Sequence, residues 1–176
     1  MRPLILLAVT VILVVASGCT EAPGSGLPDE MFALKRELTA QDLGGFQASF
    51  TPAVSGDYAI TLNFRQPIEV EEVRHLVNGA TRSDDARAQF DFEWQVLDGG
   101  KPLTRGTGRQ GAIGILDSGS SGLGGGDLKS RALVFGTFGG EANRLYTIEF
   151  QAGPAMAPVI RAKPQLEIVR VPTSRQ

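Results

Sequence analysis

Two segments of this chain alternate apolar and polar residues with a period of two, and this pattern restricts the fold more than any other feature. The apolar members of the first segment are Tyr58, Ile60, Leu62 and Phe64. The apolar members of the second segment are Phe90, Phe92, Trp94 and Val96. Successive side chains of a β-strand point to opposite faces, so each segment predicts a strand with one buried face. Asp98-Gly99-Gly100 then predicts a hairpin turn into a strand over 102–107.

Further strands are predicted on both sides of these two. They cover 31–38, the region from Phe46, 131–138, 145–150, 159–162 and 165–171. The region 31–38 is ambiguous, because 28–30 could open a short helix ending near 43–45, but its alternation favours a strand. Leu133-Val134-Phe135 is apolar on both faces, which indicates a central strand.

One segment changes to a helical period. Val70, Val73 and Val77 share a helical face, acids stand early, and Gly79 follows as a stop signal. About eight short strands at roughly 8 to 12 residue spacing with one short helix predict an all-β fold. The architecture expected is an antiparallel two-sheet sandwich, of either immunoglobulin-like or jelly-roll topology.

The region 111–129 is rich in glycine and serine, and 118–126 reads Ser-Gly-Ser-Ser-Gly-Leu-Gly-Gly-Gly. Ordering such a segment costs much conformational entropy, so a mobile loop is predicted.

The first eighteen residues have the three parts of a secretory signal. Arg2 supplies positive charge, 4–15 are apolar, and Ala16-Ser17-Gly18 are small. An apolar run of about a dozen residues is shorter than the roughly 20 that a transmembrane helix needs. A permanent transmembrane anchor is therefore not expected.

Ala16-Ser17-Gly18-Cys19 resembles the lipobox of bacterial prolipoproteins, although that family most often has leucine where Ala16 stands. The resemblance implies cleavage before Cys19 and acylation of its thiol. Thr20 is not the aspartate typical of inner-membrane retention, so the resemblance implies an outer-membrane lipoprotein facing the periplasm. The alternative is an ordinary cleaved signal that leaves Cys19 as a free thiol.

Three regions follow from this interpretation: a signal peptide over 1–18, a lipidated tether over 19–30 and a β-sandwich domain over 31–176. The tether holds two prolines and two glycines in 20–30.

Cleavage would take the formal net charge from −2 to −3, because it removes Arg2. Cys19 is the only cysteine, so the domain can form no internal disulfide. Without a run of Lys or Arg, no nucleic-acid partner is expected.

In its pattern of turns and alternating strands, the domain also resembles uncharacterised β-sandwich lipoproteins of Gram-negative bacteria and jelly-roll modules that accompany secreted hydrolases. The segments that carry this similarity are 56–62, 94–100 and 146–150, each an alternating strand beside a turn or an aromatic residue. The similarity implies a fold and transfers no functional residue.

Candidate catalytic residues are few. His75 is the only histidine, and no serine stands in a Gly-x-Ser-x-Gly motif, so we interpret His75 as a surface residue near a helix end. Asp91 and Glu93 lie about 7 Å apart on one predicted strand face, a spacing that acid pairs of glycosidases use. Alternation alone explains them as the solvated side of that strand.

Cofactor and metal motifs are also weak. One histidine and one acylated cysteine cannot supply the usual zinc ligands. Asp117 and Asp127 could offer oxygens to calcium, but the regular Asp spacing and closing Glu of a calcium loop are missing. Leu128 replaces the glycine that a phosphate-binding loop needs before Lys129. We expect no cofactor.

The leading hypothesis is a non-catalytic lipoprotein whose sandwich binds or supports another envelope component, with 111–129 as the contact surface. A carbohydrate-binding module is the first alternative, and it would need an exposed aromatic residue among Trp94, Tyr58 and Tyr146. The phase of Trp94 instead matches the predicted core. An unidentified hydrolase is the second alternative, and it would need a concave cluster of acids or of His75 with shifted pKa values.

Overall fold

The structure is a computed structural model, and it describes residues 31–65, 68, 69, 71–81, 83–118 and 130–171. The strands are β1 (Phe32–Glu37), β2 (Phe46–Phe50), β3 (Gly56–Arg65), β4 (Phe92–Asp98), β5 (Lys101–Thr107), β6 (Gly114–Ser118), β7 (Ser130–Gly140), β8 (Tyr146–Ala152) and β9 (Gln165–Arg170). The helices are α1 (Glu71–Gly79), α2 (Asp84–Gln89) and α3 (Ala157–Ile160). Short 3-10 helices cover Ala40–Asp42, Gly108–Gln110 and Pro154–Met156.

The strands form two antiparallel sheets. The five-stranded sheet has the order β1-β9-β3-β7-β6, and the four-stranded sheet has the order β2-β8-β4-β5. Every pair of neighbouring strands in both sheets is antiparallel. The predicted all-β two-sheet sandwich is therefore confirmed, and β7 is the interior strand that the apolar run at 133–135 indicates.

The core lies between the sheets and contains the apolar phase of both alternating segments. Tyr58, Ile60, Leu62 and Phe64 of β3 face Phe92, Trp94 and Val96 of β4 within one cluster of buried side chains. The indole of Trp94 spans the two sheets and lies against Gly106 of β5 and Gly136 of β7. A Cβ atom at Gly106 would approach the Cζ2 atom of Trp94 to 2.6 Å, so this slot needs glycine.

The sandwich has two different ends. At one, here called the turn end, Gly99 and Gly100 make the β4-β5 hairpin with φ angles of 55° and 81°. The other, here called the helical end, carries α1, α2 and α3. Strand β1 starts at the turn end, where Phe32 pairs with Val169, and it reaches the helical end at Glu37. The chain therefore enters the domain at the turn end.

Strand β3, which alternation predicts to bury one face, buries both, because Ala59, Thr61 and Asn63 are also buried. Three predicted segments of secondary structure also differ from the structure. The segment 159–162 is not a strand, because Met156, Val159 and Ile160 have helical spacing and are buried together at α3. Proline is favourable in the first turn of a helix, and Pro158 stands there. A second helix, α2, replaces the polar turn after α1, and the Ser83 hydroxyl caps it by accepting from the Ala86 N–H at 3.4 Å.

The third difference concerns the predicted loop over 111–129. Its first part contains β6, which pairs with β7 in regular register from Gly114 opposite Val134 to Ser118 opposite Ser130. The rest, 119–129, lies outside the described residues. The predicted strand over 31–38 and the helix ending at Gly79 are both confirmed, by β1 and α1.

Candidate functional site

An apolar groove at the helical end is the best candidate for a binding site. It lies between the segment 39–43 and α3 and has a volume of about 530 Å³. Leu38 and Ile160 are buried beneath it, Leu43 and Pro158 are half-buried, and Ala157 is exposed. We call it the end groove. Its size lies within the range of small-molecule and side-chain pockets.

One wall of the end groove is fixed by the buried carboxylate of Asp42. Its Oδ1 atom accepts from Arg36 Nη2 at 2.6 Å, and its Oδ2 atom accepts from the Thr39 N–H at 2.8 Å and the Thr39 hydroxyl at 3.0 Å. Burial alone would raise the pKa of Asp42, but these hydrogen bonds and the Arg36 charge outweigh it and lower the pKa. Asp42 therefore stays ionised and holds the turn that shapes the wall.

The rim of the end groove is cationic. Arg161 and Lys163 both line the groove and are exposed. Arg161 forms an ion pair with Glu72 of α1, with 3.0 Å between Nη2 and Oε2. Lys163 has a φ of 49°, and its N–H donates to the Ile160 carbonyl at 2.8 Å, which closes α3. With Arg161 paired to Glu72, the rim still has a net positive charge from Lys163, and an apolar floor beside it suits an apolar group that carries a negative charge nearby.

A second surface, the polar face, lies on the outer side of the four-stranded sheet. Glu149 of β8 stands between Gln47 of β2 and Gln95 of β4, and both amides donate to its carboxylate. The Gln47 Nε2 atom lies 2.6 Å from Glu149 Oε1. A shallow depression of about 440 Å³ covers this region, and Glu93 also lines it. The side chains largely bond to one another, so this face is built as a solvated sheet surface.

The predicted acid pair is engaged in other contacts. Asp91 lies just before β4, and its Oδ1 atom accepts from Arg109 Nε and Nη2, both at 2.7 Å. Glu93 is exposed on the polar face. His75 is a surface residue of α1, 77% exposed, with 2.9 Å between its Nε2 atom and Glu71 Oε1. Asp91 and His75 are therefore engaged in ion pairs near the surface, and Glu93 is exposed to solvent.

The aromatic residues provide no open platform for a sugar ring. Tyr58, Trp94 and Tyr146 are 1%, 4% and 2% exposed. The twelve aromatic residues of the chain all lie in its described part, and the two that are not buried are the half-buried Phe32 and Phe46. Each of these two has a cation over its ring, Lys35 at 3.7 Å and Arg36 at 4.1 Å from the centroid. The prediction that Trp94 belongs to the core is confirmed.

Several residues singled out from the sequence lie outside the described residues. They are Cys19, Asp127 and Lys129. Asp117 is the fourth residue of β6, and its backbone pairs opposite Arg131. Among the described residues, no three His, Cys, Asp or Glu side chains come close enough together to hold a metal ion. Within the same part of the chain, no helix is long and apolar enough to cross a membrane.

The end groove was missed by sequence reasoning. Two signals mark it in retrospect. Thr39-Ala40-Gln41-Asp42 has the spacing of a capping box, and Met156, Val159 and Ile160 have the spacing of a buried helical face. Neither signal shows that the two segments meet, because that contact depends on the sandwich between them.

Comparison of this chain with models of known protein families, with curated proteins and with solved structures finds no match.

Proposed function

We propose that this protein is a lipid-anchored envelope protein whose β-sandwich binds another envelope protein without catalysis. The precursor is exported, cut before Cys19, and held by lipid on that residue at the outer membrane, facing the periplasm. The support for this step is the leader, with its charged start, apolar run and small residues before the only cysteine.

The observation that carries the proposal is the placement of the end groove relative to the start of the domain. Strand β1 begins at the turn end, with Phe32 opposite Val169, whereas the groove lies at the helical end. An anchor attached before β1 therefore leaves the groove open. Strands rise about 3.3 Å per residue, so the eleven residues of β7 separate the two ends by roughly 35 Å.

The chemistry of the end groove selects the kind of partner. Leu43, Ala157 and Pro158 offer an apolar surface, and Arg161 and Lys163 place positive charge at its edge. Complementary potentials favour a partner that brings an apolar side chain flanked by acidic residues. We therefore assign the groove to a segment of an envelope protein that inserts an apolar side chain and carries acidic residues beside it.

The anchoring step is tested by metabolic labelling of cells with a radioactive fatty acid. The Cys19→Ser variant should lose the label and accumulate as an uncleaved or soluble form. Thr20→Ser is the matched control, because it changes the adjacent residue and keeps the thiol, and its label should equal that of the unsubstituted protein. Full labelling of Cys19→Ser would contradict the proposal.

The binding step is tested with a photo-crosslinking amino acid placed at single positions in intact cells. At Ala157, in the end groove, irradiation should give one protein adduct of defined mass. At Leu103, which is 46% exposed on β5 away from the groove, that adduct should be absent. Lys163→Glu should abolish the Ala157 adduct, because it replaces one of the two cations of the rim by an anion. Adducts with lipid alone, or equal adducts at both positions, would refute the assignment of the groove.

A further inference from the structure

Among the described strands, four lie at the edges of the two sheets, and three of these are protected against pairing with other chains. In β1, the residues Lys35, Arg36 and Glu37 are all exposed. In β5, the protection consists of Lys101 and Pro102, together with a register shift against β4. Edge strands of natural proteins carry such charges, prolines and irregularities because an open edge is a template for another strand.

The third protected edge is β2. It has only five residues, its outward side chains Gln47 and Ser49 are polar, and Pro52 follows two residues after its end. Its polar side chains also bond across to β8, with Ser49 Oγ 3.3 Å from Thr147 Oγ1. These features are typical of an edge strand that does not pair with a strand of another chain.

The fourth edge, β6, is as short as β2 and carries one acidic residue, Asp117, but it has fewer of these protections than the other three edges. It contains no Lys, Arg or Pro, and its register with β7 is regular over all five residues. Its exposed side chains are apolar: Ile115 is 40% and Leu116 36% exposed, and Ile113 just before the strand is 69% exposed. In the described part of the chain no strand pairs with its outer side. Within the described residues, this edge therefore combines an outer side that no strand pairs with and exposed apolar side chains.

We infer that β6 pairs with β6 of a second copy of this chain, in antiparallel orientation about a two-fold axis at Ile115. The two five-stranded sheets then become one continuous sheet of ten strands, a size that open sheets reach. A two-fold interface uses the same patch on both copies, so the strand must complement itself. The sequence of β6 does so in this register.

The register follows from the size and charge of the side chains. With the axis at Ile115, the two Ile115 side chains stand opposite each other on one face of the sheet. On the other face, Leu116 of each copy lies opposite Gly114 of the other, where the missing side chain leaves room. The two Asp117 residues are then four positions apart along the strands. In this register Asp117 of each copy stands opposite Ile113 of the other, just outside the strand. An axis at Leu116 would set Asp117 opposite Ile115 and would also bring the two acids to diagonal positions, which like-charge repulsion disfavours.

The area of one strand pair is small compared with the roughly 1,200 to 2,000 Å² that stable complexes bury. The dimer is accordingly weak and concentration-dependent, and a covalent trap is the appropriate probe. The inference does not depend on the lipid anchor, since it concerns β6 alone.

The test uses the purified mature chain in detergent with a single added cysteine at Ile115. Residues opposite each other on antiparallel strands have Cα atoms about 4.5 to 5.5 Å apart, which is within disulfide range. Mild oxidation should therefore convert most of Ile115→Cys to a covalent dimer. Leu103→Cys is the matched control, because Leu103 is similarly exposed on edge strand β5, 46% against 40% for Ile115, and this variant should remain monomeric. The unsubstituted protein sets the background due to Cys19.

A second variant tests the dimer without oxidation. Ile115→Lys places two like charges at the axis, so it should weaken self-association measured by sedimentation at least tenfold, while Leu103→Lys should not change it. Equal crosslinking at positions 103 and 115, no dimer at 115, or unchanged association of Ile115→Lys would each overturn the inference.

Discussion

Asp42 beside the end groove and Glu167 in the middle of the five-stranded sheet are both almost fully buried carboxylates, yet their surroundings shift their pKa values in opposite directions. Asp42 is 4% exposed and Glu167 is 2% exposed. Burial raises the pKa of Glu167, and the hydrogen bond from Asn63 and the charge of Lys35 only partly oppose it. At Asp42 the hydrogen bonds and the Arg36 charge prevail over burial, and the pKa is lowered.

The difference lies in the donors that each site supplies. Asp42 receives a guanidinium N–H, a backbone N–H and a hydroxyl, all of which stabilise the anion. Glu167 receives one amide N–H, from Asn63 Nδ2 at 3.0 Å, while the Asn63 Oδ1 atom is buried without a donor. Among the described residues, this site supplies one side-chain donor to the Glu167 carboxyl and none to Asn63 Oδ1, so it suits the neutral acid better than the anion. Burial alone does not decide the charge state of a carboxylate, because the number and charge of its donors can outweigh it.

The largest expected effect is at Asp42. Asp42→Ala should lower the free energy of unfolding by about 2 kcal/mol at pH 7, because it removes a buried charge-assisted hydrogen bond and the cap of a turn. The folded pKa lies below the ordinary value of 3.8, so this contribution is complete above pH 3.8 and is lost as pH falls through the folded pKa. Urea unfolding at pH 7 and in acid measures both effects.

The control for this prediction is Asp84→Ala, which removes an acid whose side chain is 96% exposed on α2. Its unfolding midpoint should equal that of the unsubstituted protein. An equal loss in the two variants would mean that Asp42 contributes no more than a solvated acid.

The second effect is smaller and of opposite sign. Glu167→Gln should raise the free energy of unfolding by about 1 kcal/mol at pH 7, because the new amide can donate to the Asn63 Oδ1 atom and cannot ionise. The folded pKa of Glu167 lies above its ordinary value of 4.5. Ionisation therefore opposes folding, and the unsubstituted protein loses stability as pH rises from 4.5 through the folded pKa. The advantage of the variant should shrink as pH falls below 4.5, and a loss of stability at pH 7 would contradict this account.

Alternation of apolar and polar residues predicts the long strands but not the short segments. The period-two pattern predicts β3 and β4, and hence the two sheets, because alternation needs no information from distant residues. It fails at 159–162, where Val159 and Ile160 fit a short strand but are buried as part of one helical turn behind Pro158. A segment of four residues is too short for its period to be determined.

The sites depend on contacts that no local pattern contains. Arg36 reaches Asp42 because β1 ends where the next turn begins, which the sequence does suggest. Asn63 meets Glu167 only because β3 and β9, about a hundred residues apart, are neighbours in the sheet. The contact of the segment 39–43 with α3 that forms the end groove has the same origin. Strand order decides such contacts, and alternation does not specify it.

The smallest expected effect on the free energy of unfolding is at Glu149, a carboxylate that has two donors but is not fully buried. Glu149 accepts two amide N–H groups, from Gln47 and Gln95, but it lies on the solvated polar face. Glu149→Gln should change the free energy of unfolding by less than about 0.5 kcal/mol, since both partner amides can bond to water instead. Urea unfolding at pH 7, beside Asp42→Ala and Glu167→Gln, provides the measurement. A loss at Glu149 comparable to that at Asp42 would show that several donors stabilise a carboxylate even when it is not fully buried. The expected small change would show that a large contribution to stability needs both several donors and full burial.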